Sequence, residues 1–318
     1  MAEDMSNYLT TEQVASRLKL HQNTVIRYIR DKKLPATKVG KAYRIRESDL
    51  AAFLGEPARP PGLAHIICVA NQKGGVAKTT TAVNLAAALA QEGKDVLLID
   101  LDPQAGCAAC LGIDTSSFER TVYNVLVKDS PTDIAKVIVP TEFGFDLAPS
   151  NIDLAGAEVE LRNILAQETV LKRRLGSARD TYDYIILDTP PSLSLLTVNA
   201  LTAAHYVIIP VACEPMALRG LNRLLDSIED VQALTNPDLR VMGVVTTRYD
   251  SRTLNSREVH EYLVELTDRL GFKLFSPVVK EMVRVKEAPN EGVPVVLQHP
   301  DLESAQAYLQ IAKEIAHG

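Results

Sequence analysis

Short apolar runs separated by longer amphipathic stretches recur along the chain from residue 65 onward. His65 to Asn71, Asp95 to Asp100, Phe145 to Ala148, Tyr184 to Asp188, His205 to Pro210 and Leu239 to Thr246 read as strands, with a weaker one near Leu274 to Val278. Several of these runs are continuously apolar, which is how a strand buried on both faces of a parallel sheet reads. Helical stretches lie between them, among them Ala82 to Gln91, ended by Gly93. The alternation predicts a doubly wound, mostly parallel α/β domain. A last helix, Leu302 to Ala316, gathers Leu302, Ala305, Tyr308, Leu309 and Ala312 on one face with few basic residues. That suits docking onto the body better than a basic membrane-targeting helix.

The first 55 residues follow a different rhythm. Thr10-Thr11-Glu12-Gln13 has capping-box spacing, and Val14, Ala15 and Leu18 supply one face of a short helix. Leu20 sits in a turn, and Val25, Ile26 and Ile29 form the buried stripe of a second helix from about Gln22 to Arg30, stopped by Leu34-Pro35. Val39, Ala42, Tyr43 and Ile45, broken by Gly40-Lys41, read as a hairpin. Ser48 and Asp49 open a third helix ending near Leu54. Gly55 to Gly62 holds three prolines and two glycines, which cannot continue a helix and predict a semi-stiff spacer. The expected organisation is a head over 1–55, a linker over 56–64 and a body over 65–318.

Composition narrows the function classes. With 46% hydrophobic and 23% charged residues the chain reads as globular rather than disordered. Its longest apolar runs, Ile66 to Ala70, Val207 to Ala212 and Val293 to Leu297, fall far short of the ~18 residues a membrane span needs. No apolar segment follows the opening MAEDMSNYLTTEQ, and four cysteines without an export signal suggest a reducing cytoplasm. Absent Trp and 5% aromatics give no hint of a carbohydrate platform. The net charge of -6 is uneven: residues 1–56 hold ten Lys/Arg against seven Asp/Glu. Between Arg17 and Arg46 the ten basic residues meet one acid, Asp31. A basic head on an acidic body suggests a nucleic-acid contact in one domain only.

The most specific signal is Asn71-Gln72-Lys73-Gly74-Gly75-Val76-Ala77-Lys78-Thr79-Thr80-Thr81, directly after a strand and opening a helix. Glycines let successive N–H groups turn toward phosphate oxygens, and the helix N-terminus favours an anion. Lys78 is placed to reach terminal phosphates and the Thr79 hydroxyl to ligate Mg²⁺. The ordinary G-x-x-x-x-G-K-[ST] pattern fails, because Gln72 and Ala77 stand where its glycines belong. The segment matches the deviant form K-G-G-x-x-K-[ST], with Lys73 as an extra lysine. That lysine could offset more of the triphosphate charge, or reach a triphosphate held by another subunit. Asp100-Leu101-Asp102 and Asp188 end two further strands, beside the loop in an open parallel sheet. Carboxylates there can hold Mg²⁺ through water or orient an attacking water.

The runs NQKGGVAKTTTAVNLAAALA, VLLIDLDPQ and YDYIILDTPPS resemble ParA-type ATPases of the deviant P-loop group that includes MinD and the nitrogenase iron protein. The resemblance spans about residues 65–315, with TRYDSRT and VRVKEAP similar to the partition branch. It implies ATP, Mg²⁺ and a nucleotide-sandwich homodimer in which Lys73 crosses to the partner's phosphates. Lys78 and the segment Gly74, Gly75, Val76, Ala77, Thr79 and Thr80 bind the phosphates. Thr79 is then the Mg²⁺ ligand, Asp102 orients the hydrolytic water, and Asp188 supports the metal through water. Ala77 stands where the family more often has Gly, so a positive φ there would store about 1 kcal/mol of strain. Ala105-Gly106 replaces the usual Gly-Asn after Asp-Pro-Gln, and Lys280 stands where a proline of the adenine pocket is expected.

The head, TTEQVASRLKLHQNTVIRYIRDKKLPATKVGKAYRIRESDLAAFL, resembles the excisionase/MerR-like winged helix-turn-helix. That resemblance puts Gln22, Asn23, Thr24 and Arg27 at the exposed start of a recognition helix, facing base edges. Lys38, Lys41, Arg44 and Arg46 would then contact phosphates from the wing. Arg248, Arg252 and Arg257 follow a strand, and Arg252 is the best candidate for sequence-nonspecific DNA binding by the dimer. Cys107-Ala108-Ala109-Cys110 lacks the second ligand pair of a metal or redox site, and His205 reads as structural.

Together these point to a cytoplasmic, nucleoid-associated DNA-partition ATPase that works with a ParB-like DNA-bound partner and no membrane. An ATP-switched transcription regulator and a MinD-like positioning ATPase are the alternatives. An iron-sulfur electron-transfer dimer is disfavoured because nothing beyond Cys107 and Cys110 could hold a cluster.

Overall fold

The computed structural model describes residues 8–317 apart from 32, 40–41, 47–49, 51–52, 54–62, 116–117, 128–131, 215 and 282–290. The chain divides into two compact units, Met1–Pro61 and Gly62–Gly318. The spacer, Lys41, the start of the third head helix and the VRVKEAP segment lie outside the described residues.

In the first unit, helices α1 (Thr11–Arg17) and α2 (Gln22–Arg30) join strands β1 (Tyr8–Thr10), β2 (Thr37–Val39) and β3 (Ala42–Arg46). The capping box forms as the spacing predicts: Gln13 N–H donates to Thr10 Oγ1 at 3.2 Å, and Thr10 N–H to Gln13 Oε1 at 2.8 Å. β2 and β3 pair as the expected hairpin. β1 is an addition the sequence reading lacks: it pairs antiparallel with β3, setting Leu9 opposite Ile45. Leu9, Val14, Ala15, Val25, Leu34, Ile45 and Leu50 make this unit's own core, with Tyr28 and Phe53 rings 5.2 Å apart at its edge. Three residues of β1 complete the sheet and bring Leu9 into this core.

In the second unit, seven strands among the described residues form one sheet in the order β10-β9-β4-β8-β5-β7-β6. They are β4 (His65–Val69), β5 (Val96–Asp100), β6 (Val139–Pro140), β7 (Asp146–Ala148), β8 (Tyr184–Asp188), β9 (Tyr206–Ala212) and β10 (Arg240–Thr247). All pairings are parallel except β6 on β7, so the doubly wound expectation holds. Side chains alternate between two cores. Ile66, Cys68, Leu97, Ile99, Ile185 and Leu187 face one, and Ile67, Val69, Val96, Leu98 and Ile186 face the other. Burial on both faces explains why these strands read as continuous apolar runs. The weak strand near Leu274 reduces to isolated bridges, Leu274 with Val244 and Lys280 with Tyr249. β6 has two residues, at the end of the short apolar run Val137-Ile138-Val139.

Helix α3 (Lys78–Gln91) follows β4, and α4 (Gly106–Cys110) follows β5. Helices α5 (Leu154–Leu161), α6 (Leu195–Ala203), α7 (Ala217–Leu234) and α8 (Leu254–Leu270) contribute to the first core. The C-terminal helix α9 (Glu303–His317) lies along α3, burying Ala305, Tyr308, Ile311 and Ala312, as its apolar face predicts. The Tyr308 hydroxyl is hydrogen-bonded to Thr81 Oγ1 at 3.2 Å. His205 is structural: its Nδ1 accepts the Ile66 N–H at 3.0 Å. No helix of the described residues is long and apolar enough to cross a membrane.

The turn from β4 into α3 is made by left-handed backbone. Gly75 has φ 73°, and Ala77 sits at φ 66°, ψ 35°. The positive φ considered at Ala77 is therefore present. A Cβ in this region crowds its own carbonyl by about 1–2 kcal/mol. Ala77→Gly is expected to raise the free energy of unfolding of this unit by up to about 1 kcal/mol, less the entropy glycine adds to the unfolded chain. Urea unfolding of the two proteins side by side checks it, and a loss of more than 1 kcal/mol would contradict the strain.

Candidate nucleotide site

The loop between β4 and α3 is anchored before it turns. Asn71, buried at the end of β4, donates from Nδ2 to Pro210 O at 2.7 Å and accepts the Lys73 N–H at 3.0 Å. At the other end α3 begins on Ala77, which offers no side-chain cap, and no acidic residue lies in the first turn. Its leading N–H groups are left for a ligand, and the helix dipole adds partial positive charge there.

Lys78 is buried, with Nζ donating to Lys73 O at 3.2 Å. Burial lowers its pKa, opposed by the carboxylates of Asp188 and Asp102. Thr79 Oγ1 donates to Asp188 Oδ2 at 2.7 Å. Gly106, at the head of α4, packs closely against this threonine: a Cβ there would stand 3.2 Å from Thr79 Cγ2.

The strand tips behind the loop are in register. Asp100 on β5 pairs directly with Asp188 on β8, and Val69 at the end of β4 pairs with Asp188 on its other side. Both carboxylates are fully buried. Burial raises the pKa of each: at Asp100 the neighbouring Asp188 adds to it, while at Asp188 the Thr79 hydroxyl and Lys78 oppose it. Asp100 accepts the N–H of Asp102 at 2.9 Å and of Cys107 at 3.0 Å, which fixes the course of the 101–106 loop. Asp188 Oδ1 is buried without a hydrogen-bond partner among the described residues. A buried oxygen left open beside a threonine hydroxyl and a lysine is what a hydrated Mg²⁺ would satisfy. The residues present therefore fit the metal.

Asp102, half-exposed at the mouth, accepts the Gln104 N–H at 3.0 Å. The structure thus gathers Lys73, Lys78, Thr79, Asp102 and Asp188 around one loop, with Gly74, Gly75, Val76, Ala77 and Thr80 as its backbone.

Sequence reasoning gave Asp100 only the general role of a strand-tip carboxylate, and assigned none to Asn71 or Glu214. Asp100 was visible as the first acid of Asp-Leu-Asp, but only the register shows that it faces Asp188. Glu214 is distant in sequence, and it accepts from Lys73 Nζ at 2.5 Å. Cys107 Sγ lies 3.5 Å from Asp188 Oδ2, and burial with the nearby carboxylates pushes its pKa up. Cys110 is pushed up to about 12. Both remain thiols, in keeping with small packing residues.

In the first unit Gln22, Asn23 and Arg27 are exposed on α2 and Thr24 is half-buried. Gln22 also braces the two helices, its Nε2 donating to Thr11 Oγ1 at 2.9 Å. Lys38 lies on β2, and Arg44 and Arg46 on β3. Arg252 is 87% exposed and gripped by Asp250, Nε–Oδ1 2.9 Å and Nη2–Oδ2 2.8 Å. Arg248, partly exposed, lies over the phosphate loop, with Nη1 donating to Gly75 O at 3.3 Å. Lys280 pairs with Glu303.

Residues 64–241 match the family of the AAA domain, and residues 8–56 match a helix-turn-helix domain. The chromosome partitioning protein ParA of Caulobacter vibrioides is 43% identical over 79% of this chain and 93% of its own. Among solved structures, cobyrinic acid a,c-diamide synthase from Mycobacterium smegmatis, with bound ATP analogue and magnesium, is similar at a TM-score of 0.69. It is 40% identical over 80% of this chain and 95% of its own. The sporulation initiation inhibitor protein Soj of Bacillus subtilis is 46% identical over 80% of this chain. That match covers 99% of Soj and makes this chain a member of the ParA/Soj family of P-loop ATPases, with a helix-turn-helix domain at its N-terminus.

Proposed function

We propose that this chain is a DNA-partition ATPase whose ATP-bound homodimer binds DNA nonspecifically and whose head, residues 1–55, binds an operator. A linker over 56–64 joins the head to the ATPase body over 65–318. The observation that carries the reading is the uncapped start of α3, flanked by Lys73 and Lys78 and backed by the Thr79–Asp188 contact. ATP and Mg²⁺ are the ligands this arrangement suits, as in the M. smegmatis relative.

In this cycle the N–H groups of Gly74 to Thr80 hold the phosphates and Lys78 neutralises the terminal ones. Thr79 ligates Mg²⁺ and Asp188 supports it through water. Held by Thr79 and Asp188, the metal would supply charge neutralisation at the phosphates. Asp102 orients the attacking water, a role its half-exposed position at the mouth supports. Lys73 crosses to the partner's phosphates, so the dimer closes only on triphosphate. Arg252 exchanges Asp250 for a DNA phosphate, and Gln22, Asn23, Thr24 and Arg27 read bases while Lys38, Lys41, Arg44 and Arg46 fix the register. A DNA-bound ParB-like partner stimulates hydrolysis and resets the cycle, in the cytoplasm and on the nucleoid. The head also allows autoregulation of its own promoter.

Lys78→Ala is expected to weaken nucleotide binding by about a hundredfold or more, since a buried charge-assisted contact is lost. Asp102→Ala should bind ATP and slow hydrolysis by about 10²–10⁴-fold, trapping the dimer. Equilibrium nucleotide binding and phosphate release measured on both variants check the pair. Wild-type turnover in Asp102→Ala would remove Asp102 from the mechanism.

Deleting residues 1–56 is expected to abolish operator binding and to leave ATP-dependent, salt-sensitive binding to random DNA. Fluorescence anisotropy on upstream and random duplexes, with ATP, ADP or neither, distinguishes the outcomes. Operator preference surviving the deletion refutes the division of labour, and absence of ATP-dependent random-DNA binding favours a pure transcription regulator.

A further inference from the structure

Lys73 is not free at the mouth of the loop. Its Nζ meets Glu214 Oε2 at 2.5 Å within the same protomer, and the other oxygen of Glu214 meets Arg248 Nη1 at 2.8 Å. Glu214 and Arg248 come from neighbouring strand ends, since Ala212 of β9 pairs with Thr247 of β10. Arg248 holds φ 53°, a left-handed conformation uncommon for a long side chain. From there its guanidinium reaches Glu214, Glu281 at 2.9 Å and Gly75 O at 3.3 Å. Backbone strain kept at a single arginine over the phosphate loop points to a role for that arginine.

The charges of this group balance in a telling way. A carboxylate beside a triphosphate loop repels the ligand unless a cation covers it. Glu214 has two covers, and its pKa is lowered by the hydrogen bond from Lys73 first and by Arg248 as well. When Lys73 departs, Arg248 still bridges Glu214 and Glu281, so Glu214 keeps one cationic partner, shared with Glu281. The side chains of Lys73, Arg248 and Glu214 are 27%, 36% and 41% exposed, so water screens the pairs and either can be exchanged.

We propose that Glu214 is a positioning residue that parks Lys73 in cis, and that Arg248 is the cation that keeps Glu214 paired when Lys73 swings to a triphosphate on a second copy of the chain. The parking itself is a property of one protomer. Its effect on dimer closure rests on the proposed crossing of Lys73. ATP must therefore displace a defined ion pair before the dimer closes, which sets the ATP concentration at which it does so.

The full-length chain tests this with two readouts. The first is the rate at which an amine-acylating reagent labels Lys73 without added nucleotide, read by peptide mass spectrometry, with exposed Lys136 as internal control. The second is the Mg-ATP concentration giving half-maximal dimer by light scattering. Glu214→Gln is expected to speed Lys73 labelling about two- to fivefold, the scale of a partly exposed ion pair, with Lys136 unchanged. It should lower the half-maximal ATP by a similar factor. Arg248→Met should move both the other way, because Lys73 then becomes the one remaining cover of those two for Glu214. Unchanged Lys73 labelling in Glu214→Gln overturns the parking, as does faster labelling in Arg248→Met. Faster labelling in Glu214→Gln with an unmoved ATP titration upholds the parking and overturns the crossing of Lys73 to the partner.

Discussion

Two carboxylates share a dry place in this molecule, and much of the site follows from that. Asp100 and Asp188 sit opposite each other on neighbouring strands, both fully buried. Burying one such charge is expensive, and burying two side by side requires a proton, a cation or a dense set of hydrogen bonds. The fold recruits its surroundings accordingly. Asp100 takes two backbone N–H groups from the 101–106 loop, and Asp188 takes the hydroxyl at the start of α3. Both functional loops are therefore tied to the same pair of acids. Whatever neutralises the pair changes the grip on both loops at once. A metal held by Thr79 and Asp188 would thus reach the Asp102 loop through Asp100 without touching it.

The loops that meet these acids are built from strained alanines. Ala77 and Ala105 both occupy left-handed backbone, the first at the start of α3 and the second at the start of α4. Neither gives its helix a side-chain cap, so each leaves leading N–H groups unclaimed by side chains. At α4 one of these, from Cys107, is used by Asp100. At α3 they face the loop mouth, where an anion would use them. One geometric device thus serves two ends, gripping an internal carboxylate in one helix and offering an external anion site in the other. Alanine survives in both because the anchoring by Asn71 and Asp100 dictates the backbone whatever the local preference.

The parts legible in the sequence are those that depend on short-range pattern. Buried strands announced themselves as apolar runs, the Tyr184 to Asp188 strand to the residue, and the phosphate loop by its lysines and glycines between strand and helix. The capping box of α1 and the hairpin of the head were equally local. What escaped depends on register or on long-range approach. β1 is three residues that become a strand only because β3 offers an edge, and β6 is two residues on β7. Asp100 was visible as an acid, yet its facing Asp188 is a fact of strand alignment across 88 positions. Glu214 lies 141 residues from Lys73, and no motif links them. Arg248 read only as one of three arginines after a strand, because its left-handed φ has no sequence signal at a non-glycine residue.

Charge separates the two units as clearly as fold does. The head carries the excess of basic residues while the remainder is acidic, so long-range attraction to DNA is concentrated in the head. On the proposed reading the body binds DNA through local cations, and its best candidate is already occupied. Arg252 is held by both oxygens of Asp250, whose pKa is lowered to about 2 chiefly by that contact. Exchanging one carboxylate for one phosphate gains little for a single protomer, because an ion pair is broken for each one made. Doubling the number of such exchanges in a dimer multiplies the small gains, since the second contact is made at high effective concentration. On the proposed reading, a weak and compensated arginine is therefore better suited to an ATP switch than a free one. It keeps the single protomer off DNA and lets dimerisation, set by Lys73 and its partners, decide when the body binds.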